Sequence, residues 1–403
     1  MTVPAAAQQA NQNINVLPVI PNDGDPDWFL KGDGYLQRQV EPTIAVSTRN
    51  PDHLLAFFND YRAVDVPDDE GLGEGTQVTA FALNTVDVML AGLLPELGIP
   101  YVATLPVAAA EAWVGGSRSY DGGLTWAGLF MPGAPFDNSP ASLASPVWGL
   151  EAATDPVAVS GPCGYVYVVF VAFTRGGESR LAVARFQDLN NSEGGDTWEY
   201  QGTTVLETGN NATNGYFLDK PHIALDVWRG AGGADQCAHR VYASYSTFNG
   251  LSKDGKVQSK LNFAVSEDFG QTFSTQKINK NWGQNQGSFI AVDPRPGTPS
   301  NQGGPGTIYV FWRHFFDPDT IIATRSTNFG QSWSNPTSII GSTPMAPFDQ
   351  PTVSTEFANP ALLSFRSNGF PTAAVSGDGT VFVAWQERVN ISEGTPGFGA
   401  PDP

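Results

Sequence analysis

The sequence predicts an all-β fold made of one repeated four-stranded unit, and three observations predict it. The octapeptide Ser119-Tyr-Asp-Gly-Gly-Leu-Thr-Trp126 returns as Ser266-Glu-Asp-Phe-Gly-Gln-Thr-Phe273 and as Ser326-Thr-Asn-Phe-Gly-Gln-Ser-Trp333. A short apolar phrase opening on Pro or Phe returns five times, from residues 42, 156, 221, 289 and 371, each time followed by a second apolar run. The composition agrees: 44 glycines and 31 prolines in 403 residues, without a collagen period, suit many short strands joined by turns. Length alone would suggest two or three domains, but a repeat builds one large body.

Each octapeptide reads as a hairpin turn. The Ser hydroxyl and the Asp or Asn side chain bond the turn amides, Gly takes the φ > 0 position, and the closing aromatic (Trp126, Phe273, Trp333) is expected to be buried between repeats. A fourth stretch, Asn191-Ser-Glu-Gly-Gly-Asp-Thr-Trp198, keeps the Gly, the Thr and the Trp only.

In chain order, residues 1–35 read as an N-terminal arm. The run Asp23-Gly-Asp-Pro-Asp27 has carboxylates at a density that suits Ca²⁺ but lacks the full loop spacing, so a solvated turn is the expected reading and calcium the alternative. No other cofactor or metal is expected. The body spans residues 36–403. Its first phrase, Pro42-Thr-Ile-Ala-Val46 with residues 54–58, is followed by an insertion at 59–111, within which 79–97 is rich in helix formers. The later phrases are Pro156-Val-Ala-Val159 with 165–170, Pro221-His-Ile-Ala-Leu225 with 241–245, Phe289-Ile-Ala-Val292 with 307–312 and Pro371-Thr-Ala-Ala-Val375 with 381–385. Each gives an inner strand and a second strand, and the segments flanking each octapeptide give a third and a fourth. Four strands per repeat make the blade of a β-propeller.

The octapeptides resemble the Asp-box of sialidases, and the repeats resemble the bacterial neuraminidase repeat of sialidase-like propellers. The resemblance implies six blades, whereas five blade starts are visible. The last blade is therefore incomplete or completed elsewhere: either the ring closes with fewer blades, using N-terminal strands such as residues 15–20, or the chain is part of a longer chain or assembly. In such a ring the octapeptide turns mark one face. The loops entering each inner strand and joining second to third strands mark the other, where propeller sites gather around the channel.

The resemblance also implies site residues. Residues 54–62 look like the second strand of a sialidase first blade, which ends in an Arg, here Arg62, and is followed by the acid/base Asp. By spacing that is Asp68, with Asp69 and Asp65 as fallbacks. The arginines that would grip a substrate carboxylate are Arg38, two places further from Pro42 than in the family's Arg-Ile-Pro phrase, and Arg388. The family's Glu would fall near Phe370-Pro371, where no Glu stands, and its Tyr nucleophile belongs to the missing blade. Tyr61, Tyr216 and Tyr245 are the fallbacks. Tyr216, Phe217, Trp282, Phe315 and Phe316 lie in loops of the site face and are candidates to stack on sugars, with packing between loops as the alternative.

Charge excludes some partners. With 40 acidic against 21 basic residues the net charge is −19, which opposes nucleic acid and anionic membranes. No run of 18 apolar residues exists to span a bilayer. The N-terminus lacks the basic start and apolar core of a secretory signal, yet the propeller class suggests an extracellular or particle-surface location. Cys163 and Cys237 precede strands of adjacent repeats, so a bridge between blades and a pair of thiols are both open. The four histidines show no metal-ligand spacing, and His222 reads as a core residue. The expected function is a non-catalytic binding or structural module facing a glycan or protein surface, or set in a larger assembly. The alternative is an exo-sialidase-like retaining glycoside hydrolase.

Overall fold

A computed structural model describes residues 39–60, 112–135, 137–188, 198–213, 215–227, 237–251, 257–279, 283–297, 300, 303–315, 320–340, 350–351, 364–365 and 369–386. Four four-stranded antiparallel meanders follow one another as blades. Blade 1 holds β1 (Gln39–Val46), β2 (Leu54–Asp60), β3 (Trp113–Ser119) and β4 (Ala127–Phe130). A single helical turn, α1 (Pro140–Leu143), capped by the Ser139 side chain, leads to blade 2. That blade holds β5 (Ala152–Ser160), β6 (Tyr165–Phe173), β7 (Glu178–Asp188) and β8 (Trp198–Asn210). Blade 3 holds β9 (Tyr216–Asp226), β10 (Arg240–Leu251), β11 (Val257–Ser266) and β12 (Ser274–Lys277). Blade 4 holds β13 (Gln284–Val292), β14 (Ile308–Phe315), β15 (Thr320–Ser326) and β16 (Thr337–Ser338). A minimal pair, β17 (Gln350–Pro351) with β18 (Ser364–Phe365), precedes blade 5, of which β19 (Thr372–Val375) and β20 (Val381–Ala384) are described. The five phrases thus form β1, β5, β9, β13 and β19, which neighbour one another in chain order. Among the described residues no helix is long and apolar enough to cross a membrane.

Why the second strands read as unbroken apolar runs is clear from β6. Val166, Val168 and Phe170 enter the core shared with blade 1, and Tyr167, Val169 and Val171 enter the core shared with blade 3. A strand covered on both faces cannot alternate apolar with polar residues. Each fully buried side chain of this kind contributes about 1.5–3 kcal/mol. A third core, with Tyr242, Phe263, Ile290 and Trp312, lies between blades 3 and 4.

Two faces are left out of these cores. Ile223 and Ile290 each face the preceding blade at 2% exposure, while Ile44, at the same register in β1, is 56% exposed. Tyr167 and Tyr242 are buried against the following blade, while Phe382, their counterpart in β20, is 60% exposed. On the side of blade 1 away from blade 2 the inner strand is open at Ile44, although Ala56 and Phe58 of β2 on that same face are buried, and the far face of blade 5 is open at Phe382.

The three octapeptides adopt one geometry. The Ser Oγ accepts from the Gly amide at 2.9 Å (Ser119, Gly123), 2.8 Å (Ser266, Gly270) and 2.9 Å (Ser326, Gly330), and its hydroxyl donates to Asp121, Asp268 or Asn328. Those side chains accept the amide of Thr125, Thr272 or Ser332, each at 2.9 Å. Thr125 bonds, donated by hydroxyl and amide, hold the Asp121 carboxyl at a pKa of about 2. Both central residues of the turn have positive φ, and in two copies the first is Phe (Phe269, 59°; Phe329, 60°). Docking offsets that cost: the Phe269 ring stacks on Tyr165, and the Arg240 guanidinium lies 4.1 Å from the centre of Phe329. A Cβ on Gly330 would sit 2.5 Å from the Phe263 ring, so only Gly fits there.

The closing aromatics differ from expectation. Trp126, Phe273 and Trp333 are half-buried, because each starts or precedes an outer strand at the rim of its blade. The Trp126 indole folds back to donate to Gly123 O at 3.0 Å. Trp198, which closes the degenerate stretch, is the buried one.

Cys163 and Cys237 form a disulfide, Cα atoms 5.4 Å apart, joining the turn before β6 to the chain entering β10. Beside it, His239 Nδ1 donates to Cys237 O and Tyr167 Oη donates to His239 Nε2, each at 2.6 Å. His222 is half-buried, its ring 4.0 Å from that of Phe289; desolvation lowers its pKa to about 4, and its Nδ1 accepts from the Ile290 amide.

Candidate functional site

The first four inner strands share one irregularity. Pairing slips between Val40 and Thr43, between Thr154 and Val157, opposite Tyr245 in blade 3, and between Gln286 and Phe289. The residue at each bulge has positive φ: Glu41 (56°), Asp155 (57°), Lys220 (44°) and Gly287 (65°). Pro42, Pro156 and Pro221 follow the first three and leave no N–H unpaired where the ladder is broken. Left-handed backbone costs a side-chain-bearing residue about 1–2 kcal/mol, and here three equivalent positions bear that cost with a charged residue each.

The bulges aim these side chains at one mouth of the channel. This mouth lies at the end where Gln39 pairs with Asp60, opposite the octapeptide turn that follows the Leu54–Ser119 pair. Lys220 of blade 3 ion-pairs with Glu41 of blade 1 and lies 3.5 Å from the Asp155 carboxylate of blade 2, so its ammonium links three blades. Asn59 Nδ2 donates to Glu41 at 3.2 Å, and Asn59 Oδ1 accepts the Asp155 amide at 2.7 Å. Thr154 donates to Asp155 at 2.9 Å, and Gln286 donates to the neighbouring Asp219.

The carboxyls divide the charge unequally. Enclosure in the mouth, then the hydrogen bond to Asp155 and its negative charge, raise Glu41 to a pKa of about 7 against the pull of Lys220. Enclosure and the Asp155 charge likewise raise Asp219 to about 7. Burial pulls Asp155 upward too, but hydrogen bonding with Glu41 and the Lys220 charge hold it below the usual carboxylate range. Burial would lower Lys220, and the charges of Asp155 and Glu41 overcome this and raise it. At neutral pH the mouth holds anionic Asp155, cationic Lys220, and two carboxyls, Glu41 and Asp219, that hold their protons to much higher pH than ordinary carboxylates. The Glu41 side chain remains 42% exposed, so the network is open to solvent on one side.

A stability profile follows. Folding raises Glu41 and Asp219, so the folded chain binds protons that the unfolded chain has released. Their contribution is complete below the ordinary carboxylate pKa near 4.5 and is lost as pH rises through about 7. The melting temperature is expected to fall from pH 5 to pH 8, and Glu41→Gln with Asp219→Asn to flatten that fall. An unchanged slope in the double variant would remove the assignment.

The residues singled out in the sequence fare unevenly. Arg38, Arg62, Asp68 with Asp65 and Asp69, Arg388, Trp282, Phe316 and Tyr61 lie outside the described residues, as do 15–20, the acidic run 23–27 and most of the insertion 59–111. Tyr216 is half-buried at the start of β9, and Phe217 packs edge-on against Phe173. Phe315 is buried under the Arg313 guanidinium, 4.3 Å from its ring centre, so it presents no open face to a sugar. Tyr245 donates to Glu207, but this pair lies between blades 2 and 3. Burial and the Glu207 charge push the phenol pKa up, the opposite of nucleophile activation. Sequence reasoning missed Glu41, Asp155, Asp219 and Lys220 as site residues. Their signal was present: in three phrases the residue before Pro is charged. Among the described residues no group of three or more His, Cys, Asp or Glu is arranged to hold a metal ion.

No family model matches the sequence, and no curated protein does. Among solved structures the chain is similar to a Hadza microbial sialidase, with 14% identity over 74% of this chain and 46% of that one, TM-score 0.36. It is similar to an α-L-arabinofuranosidase from Fusarium graminearum, with 12% identity over 86% of this chain and 74% of that one, TM-score 0.42. It is also similar to the Trypanosoma rangeli sialidase, with 12% identity over 86% of this chain and 42% of that one, TM-score 0.38. The chain spans less than half the length of both sialidases.

Proposed function

We propose that the chain is a non-catalytic, sialidase-like propeller that binds a neutral glycan at the carboxyl-rich channel mouth, in an extracellular or surface setting. The octapeptide turns are read as Asp-boxes that staple its blades. The observation that carries the reading is the position of Lys220, engaged by Glu41 and Asp155 across the mouth. A sialoside carboxylate needs a cation to meet it, and this one is already neutralised, on a chain of net charge −19. Carboxyls and amides such as Glu41, Asp155, Asn59 and Gln286 suit neutral hydroxyls, which both donate and accept.

Binding to immobilised neutral and sialylated oligosaccharides tests this. Neutral glycans are expected to be retained, with at least tenfold weaker binding by Glu41→Gln with Asp219→Asn. Retention of sialylated glycans alone would overturn the reading. One observation favours a second reading, a retaining glycoside hydrolase: Glu41 and Asp219, near 7, are matched to general acid and base work at neutral pH. Turnover of aryl glycosides separates the two.

A further inference from the structure

The inner strand of blade 5 repeats the sequence signal of the mouth with one change. Phe370 precedes Pro371 as Glu41, Asp155 and Lys220 precede Pro42, Pro156 and Pro221. The register agrees. Thr372, the second residue after Phe370, pairs with the second strand of its blade at Ala384, as Thr43, the second residue after Glu41, pairs at Phe57. Blades 1, 2 and 3 therefore bring a charge to this level, and blade 5 brings an aromatic ring.

Blade 4 makes room for that ring. Its residue at the bulge is Gly287, in left-handed backbone, and a Cβ there would run into the Phe370 ring. Phe315 meets the ring edge to face, centroids 6.4 Å apart and planes at 80°, and is itself held under the Arg313 guanidinium. Phe370 is thus fixed in orientation yet only half-buried, so part of its surface stays open at the mouth. Beside Gly287, Gln286 donates to Asp219, and the seat of the ring adjoins the carboxyl network. A ligand in the mouth meets carboxyls and amides of blades 1 to 3 on one side and an arene of blade 5 on the other. Hydroxyls suit the first side, and the C–H groups of a sugar ring suit the second. A galacto-configured pyranose divides its polarity in this way: its axial 4-hydroxyl leaves one face, and the hydrogens on C3, C4 and C5 gather on the opposite face. A gluco-configured ring spreads its axial hydrogens over both faces.

We propose that Phe370 is a specificity-determining residue of the mouth, a stacking platform that selects glycans of galacto-configured pyranoses over gluco-configured ones. The proposal rests on the reading of the mouth as a neutral-glycan site. Calorimetric titration of the full chain with β-1,4-galactotetraose and with cellotetraose, which differ only in the configuration at C4 of each ring, tests it. Galactotetraose is expected to bind about fivefold tighter or more. Phe370→Leu keeps apolar bulk on Gly287 but offers no flat face. It is expected to weaken galactotetraose binding about tenfold and to erase the preference, with circular dichroism unchanged, whereas Phe370→Tyr is expected to retain both. Equal binding of the two probes by the wild-type chain, or full galactotetraose binding by Phe370→Leu, would overturn the proposal, as would failure to bind galactotetraose while other neutral glycans are retained. Each of these outcomes leaves the mouth a neutral-glycan site. Retention of no neutral glycan at all would overturn that reading and this proposal together.

Discussion

Replacing both Cys163 and Cys237 by Ser is expected to destabilise the chain by about 4 kcal/mol, the value the loop-closure model gives for a loop of this size. The two cysteines are 74 residues apart in sequence, and the bridge closes a loop that contains the three outer strands of blade 2 (β6, β7 and β8) and the inner strand of blade 3 (β9). In the unfolded chain this link removes much of the freedom those strands would otherwise regain. In the folded chain it sits at a blade junction already closed by Tyr167, His239 and Phe269, which pack around it. Urea titration of the oxidised protein and the double-serine variant measures the difference. A loss below about 1 kcal/mol would mean that packing alone holds blades 2 and 3 together.

Lys220→Met is expected to destabilise by about 2–3 kcal/mol at pH 8, somewhat less than for a fully buried pair because a quarter of the side chain meets water. The substitution leaves Asp155 facing Glu41 and Asp219 with no cation among them. Its cost should shrink at pH 5, where Glu41 and Asp219, each with a pKa of about 7, are protonated and donate to Asp155. Adding Asp155→Asn should restore part of the loss at pH 8. A cost that is the same at both pH values, or no rescue by Asp155→Asn, would show that Lys220 acts by packing and not by charge.

The fold was legible because the repeat carried it. The five phrases became inner strands at the expected places, and each octapeptide became the expected turn. Side-chain burial at those turns was not legible, since a motif closing on Trp reads the same whether the ring enters the core or lies on the rim. In Trp126 an indole bond to Gly123 decides it, and in Trp333 a glutamine from the neighbouring blade does. The site was legible only in outline. Repeat geometry puts the loops entering the inner strands on the site face, but spacing by family resemblance points to Asp68 and the arginines, not to the residues that meet at the mouth. Glu41, Asp155 and Lys220 meet only because bulges in three blades turn them to a common point, and residues 114 and 65 positions apart give no sequence sign of meeting until the ring is built. Pro after a charged residue was the sole local mark.

Release of 4-methylumbelliferone from its sialoside and from neutral glycosides, measured with the 403-residue chain at pH 5 to 8, tests the central claim most directly. The arrangement of Lys220 between Glu41 and Asp155 predicts no release above buffer from any of them, together with retention of neutral glycans. Turnover that is abolished by Glu41→Gln or by Asp68→Asn, with the fold intact, would contradict it and make the mouth a catalytic site.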